Sequence, residues 1–386
     1  MHRFIASCIG SVMVTGKMQM QSKPIQRIRM PFIDGLRGLA AVAVLLPHAI
    51  GLFYFSVKNP ISQLMIRVSE YGHYGVEVFF VISGFVIAYS LKNTVMTGKN
   101  WGKFILRRSI RLDPPYWVAI AFTCGLYFLG TVVTKKPLEL PSGAKLLAHV
   151  LYLQDILQLG QINVAFWTLC IEFQFYCAFA VLFWAGLRLT KQQPQRTTAY
   201  LSSGVFLLSL LWPSRLIRFA SGNYWLTEHA YIFLAGALTW WALSGRVRKL
   251  FWYLAILFLI LLFCWRQDGR VFITVSVAAL LFWAGQKNRL FTWLNINVCQ
   301  LYGRISYSFY LVHIPICLVC LALRNRVGSP SILISLMFFG LLFFLSTAAA
   351  YGLHICVERR CQEWSHSFVE MLSKFGLRPS LAVSKL

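Results

Sequence analysis

Acidic side chains are scarce in this chain. Twelve Asp and Glu stand against 37 Lys and Arg in 386 residues, and charged residues of both signs make up 13%, about half the share of a soluble protein. No stretch is polar for long enough to form a separate soluble domain, and the sequence contains no convincing internal repeat. Against 58% hydrophobic residues and a mean hydropathy of +0.63, so few charges exclude a water-soluble globule, which cannot hide that much apolar area. The net charge of +25 does not make the chain a nucleic-acid binder, because the basic residues form no stripe on a polar domain. They sit mainly in short gaps between apolar runs, where they set membrane topology. Cys317 and Cys320 have no second CxxC to join them. Others of the ten cysteines, among them Cys124, Cys170, Cys177 and Cys264, lie inside apolar runs. They read as small packing residues, and no metal site is assigned.

What the chain has in abundance is apolar runs, and these predict an all-α, polytopic integral membrane protein. A helix satisfies its own backbone groups in lipid. The candidate spans are about 36–56, 74–91, 115–133, 166–187, 200–213, 228–243, 250–265, 270–285, 304–323 and 331–353, ten in all. Segment 143–159 is apolar as well and is expected to lie on the outer surface as an interfacial helix. Every second gap is basic: Arg27, Arg29 and Arg37 come before the first span, and Arg107, Arg108 and Arg111 stand between the second and third. Arg246, Arg248 and Lys249 follow the sixth, and Arg359 and Arg360 the tenth. That alternation puts both termini in the cytoplasm, although Lys135, Lys136, Arg215 and Arg218 fall in outer gaps. The first 20 residues imitate a signal peptide only weakly, and residues 1–30 are expected to be a peripheral extension. Residues 31–358 form the membrane domain and 359–386 a cytoplasmic tail.

Within the oily helices, a few polar residues stand out. In LRGLAAVAVLLPHAIGLFYF, Arg37 and His48 are eleven residues apart, close to three helical turns, so they share a side at an axial separation of about 16 Å. They cannot touch within one helix but can reach two ends of one long ligand. Pro47 removes a backbone donor just before the histidine. A histidine there either packs by bonding across helices or takes part in chemistry. In RRSIRLDPPYW, Arg108 and Arg111 are three apart, on one helix face suited to phosphate groups. Pro114-Pro115 is expected to force an irregular segment, with Tyr116 and Trp117 at headgroup level. Topology alone also accounts for those arginines. In FWTLCIEFQFY, Glu172 is buried in a span and needs a histidine or arginine on another helix; a Glu–His pair would fix the tautomer a general base requires, and the alternative is a purely structural ion pair. Ser83 and Glu77 in the glycine-rich YGHYGVEVFFVISGFVIAYS, and His313 and Tyr310 in YGRISYSFYLVHIP, are candidate cavity-lining residues, His313 being equally readable as a packing histidine.

These blocks, in this order, resemble the membrane-bound acyltransferase-3 family, whose members include the enzymes that O-acetylate O-antigen and bacterial exopolysaccharides. IDGLRGLAAVAVLLPHA looks like its signature opening. GVEVFFVISGFVIA, FILRRSIRLDPPYW, WTLCIEFQFY and ISYSFYLVHIP resemble four later blocks. The likeness runs from about Pro31 to Glu358. Two local departures are Pro47 directly before the histidine and the missing proline after the glutamate in YGLHICVERR.

The resemblance implies a multi-pass protein of the bacterial inner membrane, with ten helices and no bound cofactor. The co-substrate would be acyl-CoA, acetyl-CoA in the first instance, and the acceptor a saccharide or lipid-linked glycan. His48 is then the base, Arg37 its essential partner, and Glu172 the acidic residue after Trp-Thr-Leu. Arg108, Arg111 and Tyr116 would bind the acyl-CoA. The rival of another class is a transporter or flippase for a glycan, which would use the same buried His, Glu and Arg as pathway residues.

Overall fold

The computed structural model describes residues 29–91, 98–134, 141–190, 192–217 and 225–374, and every regular element among them is helical. Almost all of the expected N-terminal extension, the end of the tail, and Lys135, Lys136 and Arg218 lie outside the described residues. In chain order the helices are α1 (Pro31–Ala49), α2 (Pro60–Glu70), α3 (Gly75–Ser90), α4 (Gly98–Thr134) and α5 (Gly143–Val150). There follow α6 (Trp167–Leu189), α7 (Pro194–Ser209), α8 (Leu226–Leu243), α9 (Lys249–Arg266) and α10 (Gly269–Gln286). The last are α11 (Asn297–Val327), α12 (Ile332–Leu353) and, after a π-helical turn at His354–Glu358, α13 (Arg359–Lys374).

Among the described residues, seven helical stretches are long and apolar enough to cross a membrane: Pro31–Leu52, Pro60–Ser90, Val164–Leu189, Lys249–Arg266, Gly269–Gln286, Asn297–Val327 and Ile332–Ser365. The chain is a multi-pass membrane protein. The other three expected spans fall on helices too: 115–133 on α4, 200–213 mostly on the shorter α7 and 228–243 on α8. Helix α4 carries Arg107, Arg108, Arg111 and Asp113, α7 is rich in Ser and Thr, and α8 opens on Glu228-His229.

Helix α11 is the centre of the bundle. Its apolar window is 78% buried, against 22% for α9 and 17% for Ile332–Ser365, whose large side chains (Leu254, Phe258, Met337 and Phe344 among them) face outward as lipid would require. Helix α1 runs parallel to α11, in contact with it over most of its length. Two glycines permit this: a Cβ on Gly38 would stand 2.7 Å from the backbone nitrogen of Gly303, and one on Gly303 would overlap the carbonyl of Asp34. Helices α3, α6 and α8 run side by side in the opposite sense to α1, their rings interleaving as Phe80–Phe233 and Phe175–Phe233, both stacked at 4.3 Å.

Two expectations about connections need correction. Segment 143–159 is helical only over Gly143–Val150, then turns back on itself up to Asn163, with Gln154 and Asp155 buried. His149 clasps the turn: its Nδ1 donates to the carbonyl of Lys145 (2.8 Å) and its Nε2 accepts from the N–H of Ile162 (3.0 Å). Burial lowers its pKa and keeps it in the neutral form that this double role needs. Nor do Pro114-Pro115 interrupt α4, which is helical throughout. Two missing donors free only the carbonyls one turn earlier, a loss that neighbouring helices can make good.

Candidate active site

Pro47 and His48 stand at the end of α1, where the chain passes into a short 3-10 turn at Ile50–Leu52. Pro47 has no N–H for the carbonyl of Ala43. Gly72, in the turn before α3, packs on that carbonyl so closely that a Cβ would overlap it. The carbonyl of His48 accepts from the thiol of Cys317 on α11 at 2.9 Å. The imidazole of His48 is half-buried and lies 5.3 Å, centre to centre, from that of the fully buried His313.

One turn back along α11, the ring of Tyr310 is 5.7 Å from His313, and its hydroxyl meets Thr168 (2.7 Å) and the carbonyl of Ala165 (3.0 Å). Pro315 leaves the carbonyl of Leu311 without its helical donor, and the amide of Asn163 faces it at 3.4 Å. Thr168 and Tyr310 thus join the start of α6 to the middle of α11. Glu172 is the next turn of α6. It accepts from the hydroxyl of Ser83 on α3 at 2.7 Å and from that of Tyr176. The guanidinium of Arg108 lies over the ring of Tyr176, 4.0 Å from its centre.

Glu172 and Arg108 open onto a narrow cavity lined also by Asp113, Tyr152, Tyr176 and Tyr307. The hydroxyl of Tyr152 donates to Asp113 (3.0 Å) and that of Tyr307 to the carbonyl of Leu112 (2.8 Å). From Thr168 to Tyr176 along α6 is about 12 Å, so a file of polar side chains, one at each turn, runs from this cavity toward Tyr310 and the histidine beside it.

Other candidates are placed differently from what the sequence implied. Glu172 does not hold His48; its partners are hydroxyls. Arg108 and Arg111 diverge, the first toward α6, the second to within electrostatic reach of Glu358, which also accepts from Ser308 (2.8 Å) and Gln362 (3.1 Å) and pairs with His354 (3.0 Å). Tyr116 does not face lipid: it is fully buried, stacked on Tyr152 at 4.9 Å. It backs a ring of the cavity wall, whereas its neighbour Trp117 is exposed. Glu77 is buried away from the cavity and pairs with Arg270 at 3.7 Å. Arg37 is half-buried on α1, with no hydrogen bond or ion pair to another of the described residues.

The sequence profile of acyltransferase-3, described as an acyltransferase domain, matches residues 30–355. The chain belongs to the acyltransferase-3 family. The match takes in every candidate from Arg37 to His313. Among individual proteins, the chain is 27% identical over 189 residues to "Acyltransferase MdmB" of Streptomyces mycarofaciens, covering 47% of this chain and 45% of that protein. It is 33% identical over 108 residues to "Protein 2 in picA locus" of Rhizobium radiobacter, covering 26% of this chain and 50% of that one. The chain thus spans about half the length of the curated relatives it matches. No solved structure matches it.

For an acyltransferase-3 protein the arrangement offers a cation beside a narrow cavity and imidazoles beyond a file of polar side chains, groups able to meet a charged ligand and to move a proton. Sequence reading passed over Thr168, Tyr176 and Tyr307, each of which stands inside a recognised block. The legible signal was their spacing: Thr168, Glu172 and Tyr176 recur every four residues on one face of α6. Glu172→Ala is expected to cost about 1–3 kcal/mol, because it removes the acceptor of the Ser83 hydroxyl and of the buried Tyr176 hydroxyl, and Glu172→Gln much less, because its amide oxygen still accepts. Thermal melting of the purified variants reads this; equal losses would mean that the charge, not the hydrogen bonds, holds the site.

Proposed function

We propose that the protein is an O-acyltransferase that moves an acyl group, acetyl in the first instance, from acyl-CoA to a saccharide hydroxyl of a cell-surface or exported glycan. The observation that carries this reading is the polar file from the Arg108 cavity toward His48 inside an otherwise apolar bundle. A thioester is already activated, so the remaining needs are a base for the hydroxyl proton and positive charge for the donor's phosphates. His48 is the base. Arg108 meets the phosphates, with Arg37 on the same side of α1 as His48. Ser83, Tyr310 and His313 line the path. The protein works in a bacterial inner membrane, spanning it ten times with both termini cytoplasmic, and takes its donor from that side.

Membranes containing the protein, supplied with acetyl-CoA labelled on the acetyl group, are expected to transfer label into the envelope saccharide fraction. Arg108→Ala is expected to raise KM for acetyl-CoA about tenfold, the loss of one charge-assisted contact (~1.5 kcal/mol). Arg108→Lys should recover only part of it, since a lysine lacks the planar group that lies over Tyr176. A glycan moved across the membrane with the acetyl-CoA pool untouched would replace this reading with the transporter.

A further inference from the structure

His313 is fully buried, yet one of its two nitrogens has nothing to bond. Its Nδ1 lies 2.8 Å from the carbonyl of Tyr310 and 3.2 Å from that of Phe309. A carbonyl oxygen only accepts, so Nδ1 carries the hydrogen. In the neutral ring Nε2 is then a bare lone pair, and it has no hydrogen-bond partner among the described residues. A buried acceptor left open costs roughly 1–3 kcal/mol, so the site calls for a donor. Because Nδ1 turns back onto α11, Nε2 points away from it. The neighbour on that side is α1: Cys317, one turn on from His313 and on the same face, bonds the backbone of His48. A separation of 5.3 Å between ring centres leaves about 3 Å, a hydrogen-bond length, between nitrogens that face each other along the line of centres. The rings are inclined at 52°, and rotation of the half-buried His48 about its side-chain bonds brings its N–H into line.

We infer that His313 is a positioning residue that accepts the N–H of His48, leaving the other nitrogen of His48 as the lone pair that meets the acceptor hydroxyl. The inference rests on His48 being the base. The hydroxyl oxygen bonds the thioester carbonyl carbon as its proton passes to His48. The carbon–sulfur bond breaks, and His48 returns that proton to the departing thiolate of CoA. Throughout, His313 stays neutral, holds one His48 N–H and disperses the charge of the transient imidazolium, a role that a carboxylate performs in other hydrolytic and transfer sites. The packing role is kept by the Nδ1 side of the ring, the positioning role by the Nε2 side.

Two substitutions separate the sides. An asparagine amide reaches the Nδ1 position but has no atom at Nε2, and a glutamine can present its carbonyl oxygen there as a neutral acceptor. With purified protein at matched abundance, labelled acetyl-CoA and the native saccharide fraction, His313→Asn is expected to lower kcat about 10- to 100-fold, as removal of a group that orients a functional histidine does. KM for acetyl-CoA should not change, and His313→Gln should recover at least a tenth of the wild-type kcat. Wild-type kcat in His313→Asn would overturn the inference while leaving the proposed function standing. Equal loss in both variants would also overturn it, making His313 itself an exchanger of protons; so would losses that track a lowered melting temperature, which assign only packing. Wild-type protein that transfers nothing from acetyl-CoA would remove the donor reading, and the inference with it.

Discussion

His48→Ala is expected to lower acyl transfer about 10²- to 10⁴-fold, the contribution of a positioned general base, while the bundle stays folded. What secures this corner of α1 is backbone, not the imidazole: the carbonyl of His48 accepts from Cys317, and the carbonyl freed by Pro47 is covered by Gly72. Truncating a half-buried ring leaves both contacts in place. His313 faces His48 but keeps its own bonds to Tyr310 and Phe309. The measurement is the initial rate of label transfer from acetyl-CoA at matched abundance, beside a melting curve. A variant that melts like wild type and has lost transfer supports His48 as the base. One that transfers at the wild-type rate removes it from the chemistry, and one that fails to fold shows that the ring is structural after all.

Gly236→Ala and Gly84→Ala are expected to abolish the folded protein, each costing about 3 kcal/mol or more. A Cβ at Gly84 would overlap the carbonyl of Phe233 on α8, and one at Gly236 the carbonyl of Val81 on α3. In both cases the obstacle is backbone, which cannot rotate aside as a side chain would, so relief requires the whole of α8 to move off α3. That motion would open the stack of Phe80 on Phe233 and the edge contact of Phe85 with Trp240, and would shift Ser83, which holds Glu172. Gly340→Ala on α12 is the control: open space surrounds that position, and alanine is the better helix former. Yield of monodisperse protein and its melting midpoint decide the matter. Gly236→Ala protein as stable as Gly340→Ala would show that α3 and α8 are not in backbone contact.

How much of this was readable beforehand differs between residues. Pro47-His48, Glu172, Arg108 and His313 stood out because each is a polar interruption of an apolar run, and lipid makes such interruptions costly. Their partners did not stand out. Glu172 finds Ser83 89 positions away and Tyr310 finds Thr168 142 positions away, pairings that no local spacing encodes. Tyr116 was misplaced because an aromatic beside Pro-Pro looks like a headgroup anchor; the helix runs on, and Tyr152 arrives from a separate segment to stack on it. Glu77 was misplaced for the like reason that Arg270 comes to it from α10.

By itself the amino-acid sequence determined the class of the molecule, the helices and most of their limits, and the handful of polar residues to examine. Hydrophobic run length and the position of charges are local quantities, and the bilayer leaves a chain little choice about what such runs become. Only the tertiary structure decided that Arg108 serves the cavity while Arg111 turns to Glu358, that Glu172 answers to hydroxyls, and that His48 faces a second histidine. Those outcomes depend on helix rotation and depth, which Gly38 against Gly303, Gly84 against Phe233 and Gly236 against Val81 set by letting backbones touch. Side-chain pairing across helices follows from that contact.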